Sequence, residues 1–95
     1  MSWHQMRRTR ADMKLLYFAW LRERIGLSEE ELSLPDGVTT VEALITHLTA
    51  RGGGYASAFC EPAAVKVAIN QDFARITDTV ADSDEVAFFP PVTGG

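Results

Sequence analysis

Few side chains in these 95 residues could do chemistry, and none stands in a constellation that would. Cys60 is the only cysteine, so a disulfide within the chain, an iron–sulfur cluster and a Cys-based zinc site are excluded by count. It admits two readings: a nucleophile or persulfide carrier, or a small apolar residue buried beside Phe59. The second is favoured, because no histidine or second cysteine stands near it in sequence. His4 and His47 are too few for a metal site, and His47 falls among the exposed positions of a helix. The run Gly52-Gly53-Gly54 suggests a phosphate loop. It follows a helix instead of opening one, however, and lacks the lysine and Ser/Thr that such loops need, so it reads as a flexible connector.

What remains is the end of the chain, Phe88-Phe89-Pro90-Pro91-Val92-Thr93-Gly94-Gly95. A Gly-Gly ending is a backbone carboxylate with no side chain near it, able to enter a slot too narrow for any other residue. Pro90 and Pro91 restrict the approach to extended forms and so reduce the entropy lost when the tail inserts into a partner. Six residues from Pro90, at about 3.3 Å each, reach roughly 20 Å. The Thr93 hydroxyl is a candidate hydrogen-bonding group toward such a partner. The competing reading is an unstructured end, which is what most termini are.

The rest of the chain must then be the support. With 46% hydrophobic and 23% charged residues it is one compact domain, enough for a single core and too small for two. A formal charge of −4, with no stripe of basic residues, argues against nucleic acid as a partner. Residues 1–12 hold Arg7, Arg8 and Arg10 against Asp12 and lack an apolar h-region, so they read as a flexible extension, with Met13 a plausible alternative start. No stretch is long enough to span a membrane. With one cysteine, a reduced, cytoplasmic setting is the simplest fit.

The domain proper covers residues 13–89. Lys14-Leu15-Leu16-Tyr17-Phe18-Ala19-Trp20 reads as a strand buried on both faces, central in its sheet. Leu21 to Gly26 is a short helical turn closed by glycine, and Glu29 to Leu34 alternates as a second strand ending at Pro35-Asp36-Gly37. Thr39-Thr40-Val41-Glu42 has capping-box spacing, the Thr39 hydroxyl accepting from the Glu42 N–H. Val41, Leu44, Ile45 and Leu48 follow at i, i+3, i+4, i+7 and define one amphipathic helix. Tyr55 to Phe59 suggests a further helical turn. Ala64 to Ile69 and Phe73 to Ile76 read as strands around an Asn70-Gln71-Asp72 turn, and Asp82-Ser83-Asp84 turns into a last strand, Glu85 to Phe89. That strand places Val86 and Phe88 on one face and Ala87 and Phe89 on the other. One face meets the helix, and the other leaves apolar area that needs a cover.

This order predicts an α+β fold: a mixed sheet of about five strands on one main helix, its first and last strands parallel and adjacent at the centre, with residues 90–95 as an extended tail. That is the β-grasp, or ubiquitin-like, arrangement.

Here the residues carry a resemblance. Val67-Ala68-Ile69-Asn70-Gln71, followed by Asp84-Glu85-Val86-Ala87-Phe88-Phe89-Pro90-Pro91-Val92-Thr93-Gly94-Gly95, resembles the small, sulfur-carrying subunit of molybdopterin synthase, the MoaD family. Tyr17-Phe18-Ala19 with Leu21-Arg22-Glu23, and Thr40-Val41-Glu42-Ala43-Leu44, are similar to that family too. The resemblance implies a carrier whose reactive group is the Gly95 carboxylate. An E1-like (MoeB-like) adenylyltransferase would use ATP to form the acyl-adenylate, and a sulfur donor protein would supply the sulfur that replaces AMP. The resulting thiocarboxylate is a far better nucleophile than the carboxylate. It would enter the large synthase subunit (MoaE-like) and give its sulfur to a pyranopterin precursor, with no cofactor bound by this chain.

On that footing Pro90, Pro91, Val92, Thr93 and Gly94 insert into the partner's tunnel, Phe89 is the apolar docking contact and Phe88 belongs to the core. Three alternatives stay open: a carrier for thiazole synthesis or another thiolation route, a ubiquitin-like modifier forming isopeptide bonds, and a β-grasp interaction domain with an inert tail.

Overall fold

A computed structural model of the chain describes residues 12–91. The expectations for the arm before Asp12, His4 included, and for Val92, Thr93, Gly94 and Gly95 lie outside the described residues.

The first strand, β1 (Met13–Tyr17), alternates cleanly: Met13, Leu15 and Tyr17 are buried while Lys14 and Leu16 are half-buried. The expected strand through Trp20, buried on both faces, is therefore too long and too apolar. Ala19 takes a left-handed φ of 55° and turns the chain into α1 (Ala19–Ile25). There Arg24 stacks over Trp20 one helical turn away, 4.7 Å from the ring centroid, so the second aromatic belongs to a helix and not to the strand. Gly26 closes α1 in the left-handed conformation, its N–H donating to the Arg22 carbonyl at 2.8 Å. Strand β2 (Glu29–Leu32) follows.

The amphipathic helix is α2 (Val41–Thr49), with Val41, Leu44, Ile45 and Leu48 buried as expected. Its cap is one residue later than the spacing suggested. Thr40, not Thr39, is the N-cap, its Oγ1 accepting from Ala43 N at 3.1 Å. The Glu42 N–H that the capping box would have used donates instead to the Ile76 carbonyl at 2.8 Å, and Val41 N–H to the Asp78 carbonyl at 3.0 Å. A distant loop thus satisfies donors that a side chain was expected to satisfy.

The glycine run is not a flexible connector: it opens α3 (Gly53–Ala58), which takes in the expected turn at Tyr55. The reason is packing. A Cβ on Gly54 would overlap the Arg24 carbonyl oxygen and sit 2.9 Å from its carbon, so α1 and α3 meet backbone to backbone. A 3-10 turn (Pro62–Ala64) then delays β3 (Lys66–Ile69), where Ala64 had been expected to begin the strand. Strand β4 (Asp72–Ala74) is shorter than expected because the Arg75 N–H is taken by Asp78 Oδ2 at 3.0 Å. Strand β5 (Glu85–Phe89) has the expected bounds.

The five strands order as β2-β1-β5-β3-β4. β1 and β5 are parallel, with Lys14 opposite Glu85 and Tyr17 opposite Phe88; every other pairing is antiparallel. The first and last strands are adjacent and parallel in mid-sheet, as predicted for a β-grasp. One face of the sheet carries Leu15, Tyr17, Val67, Val86 and Phe88 against Leu44 and Leu48 of α2 and Phe59 after α3, and this is the core. At roughly 1.5–3 kcal/mol for each large apolar side chain, that face holds the fold together.

Candidate functional site

The site is the root of the tail, and β5 sets its direction. Its start is fixed by two turns locked together. Asn70 and Gln71 both have positive φ (52° and 74°), the two-residue loop that joins antiparallel strands with their natural twist. The Asn70 side chain donates to Asp84 Oδ1 at 3.0 Å and accepts from Glu85 N at 3.0 Å. Asp84 in turn accepts from Ala81 N at 2.9 Å, and its carbonyl accepts from Lys14 N at 3.0 Å. Four segments therefore converge where β5 begins.

Along β5 the two phenylalanines part company. Phe88 is fully buried, stacked on Tyr17 at 6.1 Å between centroids and edge-on to Phe59 at 5.1 Å, which confirms it as core. Phe89 is half-buried on the opposite face, opposite Lys66 of β3 and 5.9 Å from the ring of Phe73. The register puts Leu16, Ala87, Ala68 and Phe73 in one row of that face, with Phe89 and Lys66 in the next. Phe73 is 84% exposed, an unusual state for phenylalanine. Lys66, Phe73, Ala74, Phe89 and Pro91 line an open groove of about 370 Å³. The apolar, uncovered face expected from the alternation of β5 is therefore present, with Phe89 in it and the half-buried Pro91 lining the groove.

On the helix side the sheet is pinned by a node around Glu30. Its carboxylate accepts from Tyr17 Oη and Tyr55 Oη, each at 2.7 Å, and from Arg51 at 3.1 Å. Burial opposes its charge, but the three donors outweigh it and hold the carboxyl below its usual value. Burial first, then the bond to Glu30, pushes the Tyr17 phenol well above its usual range. Both phenols therefore stay protonated donors, and the node is a structural tie between β1, β2 and the α2–α3 corner. Sequence reasoning did not single out Glu30. The alternation of β2 gives Glu30 the same face as Leu32, which was the available signal.

Two other candidates sit differently from expectation. Cys60 is exposed, not buried beside Phe59 as expected; only Phe59 turns inward. His47 is half-buried on α2 instead of exposed. Among the described residues no three His, Cys, Asp or Glu side chains are placed to hold a metal ion, and no helix is long and apolar enough to cross a membrane. Phe73 and Lys66 are the surface residues that sequence reasoning did not single out, since neither has a partner nearby in sequence.

Known proteins agree with this geometry. A molybdopterin synthase sulfur carrier subunit from Haemophilus influenzae is 42% identical over 83 residues, covering 87% of this chain and 99% of its own. Among solved structures, a putative molybdopterin converting factor subunit 1 from Pyrococcus furiosus superposes with a TM-score of 0.69 at 32% identity, covering 86% of this chain and 99% of that one. The small archaeal modifier protein 1 of H. volcanii superposes at 0.65 with 28% identity, covering 86% and 99%. The model of the ThiS family matches residues 15–95, nearly the whole domain and the tail with it, and the chain belongs to that family.

Proposed function

We propose that this chain is the sulfur carrier subunit of a molybdopterin synthase. The observation that carries the reading is the course of β5: the central strand of the sheet runs directly into Pro90-Pro91 and on toward Gly94-Gly95, beside an uncovered apolar face. Relatives that match over nearly their whole length carry that name. In this reading the folded domain acts as a handle and the tail as the substrate.

In this reading the Gly95 carboxylate attacks ATP held by an E1-like partner and pyrophosphate leaves. Sulfide-level sulfur delivered by a donor protein then attacks the acyl carbon, forming the C–S bond as the bond to AMP breaks, and the thiocarboxylate enters the large subunit, which supplies catalysis. The carrier binds no cofactor itself, ATP belongs to the activating partner, and the work is cytoplasmic. Phe89 docks the large subunit; Pro90, Pro91, Val92, Thr93 and Gly94 thread its tunnel. Absence of side chains at the last two positions admits the tail to a narrow slot, and the two prolines lower the ordering cost of insertion.

The test is mass spectrometry of the C-terminal peptide after incubation with the E1-like enzyme, ATP and a sulfur donor. Exchange of one oxygen for sulfur at Gly95, followed by its loss on adding the large subunit and pterin precursor, is the expected result. A tail that never gains sulfur would sink the carrier reading. The likeness to a small archaeal modifier favours one alternative, and isopeptide conjugates to lysines of other proteins would favour it over the carrier.

A further inference from the structure

The open face of the sheet carries charges that one chain cannot satisfy. Its middle row is apolar, Leu16 and Phe73 at the ends with Ala87 and Ala68 between them. The row toward the tail holds one cation, Lys66, beside Phe89 and no acid. The row away from the tail holds one unpaired anion, Glu85, because Lys14 beside it is engaged by Glu29 at 3.7 Å. Lys66 and Glu85 lie on adjacent antiparallel strands, but Lys66 is opposite Phe89, four residues past Glu85 and about 13 Å away along the strand. They cannot meet within one chain, and among the described residues neither has an ion-pair partner.

We infer that this face is covered by a second copy of the chain, packed face to face about a two-fold axis that crosses the strands at the Ala87–Ala68 row. That axis lays the far row of one copy over the tail row of the other, so Lys66 meets Glu85 of the second copy and, by symmetry, Glu85 meets its Lys66. Extended, the two side chains together bridge sheets packed about 10 Å apart. The middle row meets itself, Phe73 on Phe73 and Leu16 on Leu16, which takes from water a ring that is 84% exposed in the single chain. An axis along the strands would lay each row on its own kind, and Lys66 would find no acid. Charge thus selects the arrangement. Three rows on five strands measure about 19 Å by 13 Å, below the area of stable interfaces, so the pair is weak and exchanges readily. It uses the face assigned above to the large subunit, and the two associations exclude each other: free carrier pairs with itself until that partner displaces the copy. This last consequence rests on the carrier reading; the pairing itself does not.

The experiment is sedimentation equilibrium of the full chain from micromolar to millimolar concentration. A weight-average mass that rises toward twice that of one chain is expected, and added salt should weaken the association. Phe73→Asp should leave single chains at every concentration. Lys66→Glu and Glu85→Lys should each weaken pairing about tenfold, because each sets two like-charged contacts across the axis, and the double variant should return to within about threefold of the parent. A parent chain that stays monomeric at millimolar concentration would overturn the inference, and so would a double variant that pairs no more tightly than the single ones. Nuclear magnetic resonance of the unmodified chain gives a reading that needs no variant. Shifts that grow with concentration should gather at Leu16, Ala87 and Phe73; their confinement to the β2 edge would mean that the chains pair edge to edge and the open face stays bare. Neither the activating enzyme nor the large subunit enters these measurements, so their failure is distinct from failure of the carrier reading.

Discussion

Replacing Phe88 by alanine should cost the domain about 3–5 kcal/mol, the usual range for deleting a buried aromatic ring. The upper end applies because the ring is fully buried and has two aromatic partners, Tyr17 stacked at 6.1 Å and Phe59 edge-on at 5.1 Å, each pair adding roughly 0.5–1.5 kcal/mol beyond area. A domain of this length has about 5–14 kcal/mol in all, so the variant keeps at most a margin of stability. At roughly 4–8 °C per kcal/mol, its melting temperature should fall by about 12–40 °C. Phe89→Asp, one residue on, should behave in the opposite way. It removes a half-buried ring from the open face, at a cost near 1 kcal/mol in strand preference and contact. As an apolar anchor at a partner interface, however, it should be worth about 2 kcal/mol or more of binding, some 30-fold in affinity for the large subunit. Thermal melts by circular dichroism and titration calorimetry against that subunit read the two quantities separately. If Phe88→Ala melts within a few degrees of the parent, the assignment of β5 to the core is wrong. If Phe89→Asp destabilises as much as Phe88→Ala, or binds the large subunit normally, the open face is not the docking face.

Three further outcomes are expected. Gly54→Ala should lower stability by about 1–3 kcal/mol although alanine favours helix, because its Cβ meets the Arg24 carbonyl and backbone must move; melting at or above the parent temperature would contradict the close approach of α1 and α3. Glu30→Gln should cost about 1.5–3 kcal/mol near neutral pH, since it removes the charged acceptor of three donors. The folded Glu30 carboxyl lies below its ordinary value of 4.5, so its contribution is complete above that pH and disappears as pH falls through the folded value. Melts recorded down an acid series should therefore converge for parent and variant, and a constant gap would refute the node's charge. Deleting Gly95 should leave the melting temperature unchanged, as the last strand ends at Phe89, while abolishing sulfur transfer; molybdopterin formation at the normal rate would rule out the carrier role.

Much of the architecture was legible because it follows from local periodicity. The stripe Val41, Leu44, Ile45, Leu48 and the alternation of Glu85 to Phe89 each name a face, and connection rules then put the first strand beside the last. The errors share a cause: they lie where a distant segment decides. Thr39 looked like a cap until Ile76 and Asp78 arrived to take the helix donors. Three glycines looked like slack, but one of them is the only residue that fits against Arg24. Phe18-Ala19-Trp20 looked like strand because its composition is apolar, and only the left-handed Ala19 turns it into a helix. Phe73 and Lys66 could not be tied to the tail from sequence, since the register that brings them beside Phe89 is a product of the whole sheet.

The parallel pairing of β1 with β5 bears on how the protein is made. Lys14 lies opposite Glu85 and Leu15 opposite Val86, contacts that span most of the chain, and without β5 the sheet is split between β1 and β3. A nascent chain can form α2 and the β3–β4 hairpin locally, but it cannot close its core until residue 89 has left the ribosome, and contacts of such long sequence separation form late. A chain truncated before that strand has no closed sheet. Folding thus reports on the presence of β5: every domain that folds has its last strand in place, with Pro90-Pro91 directly after it.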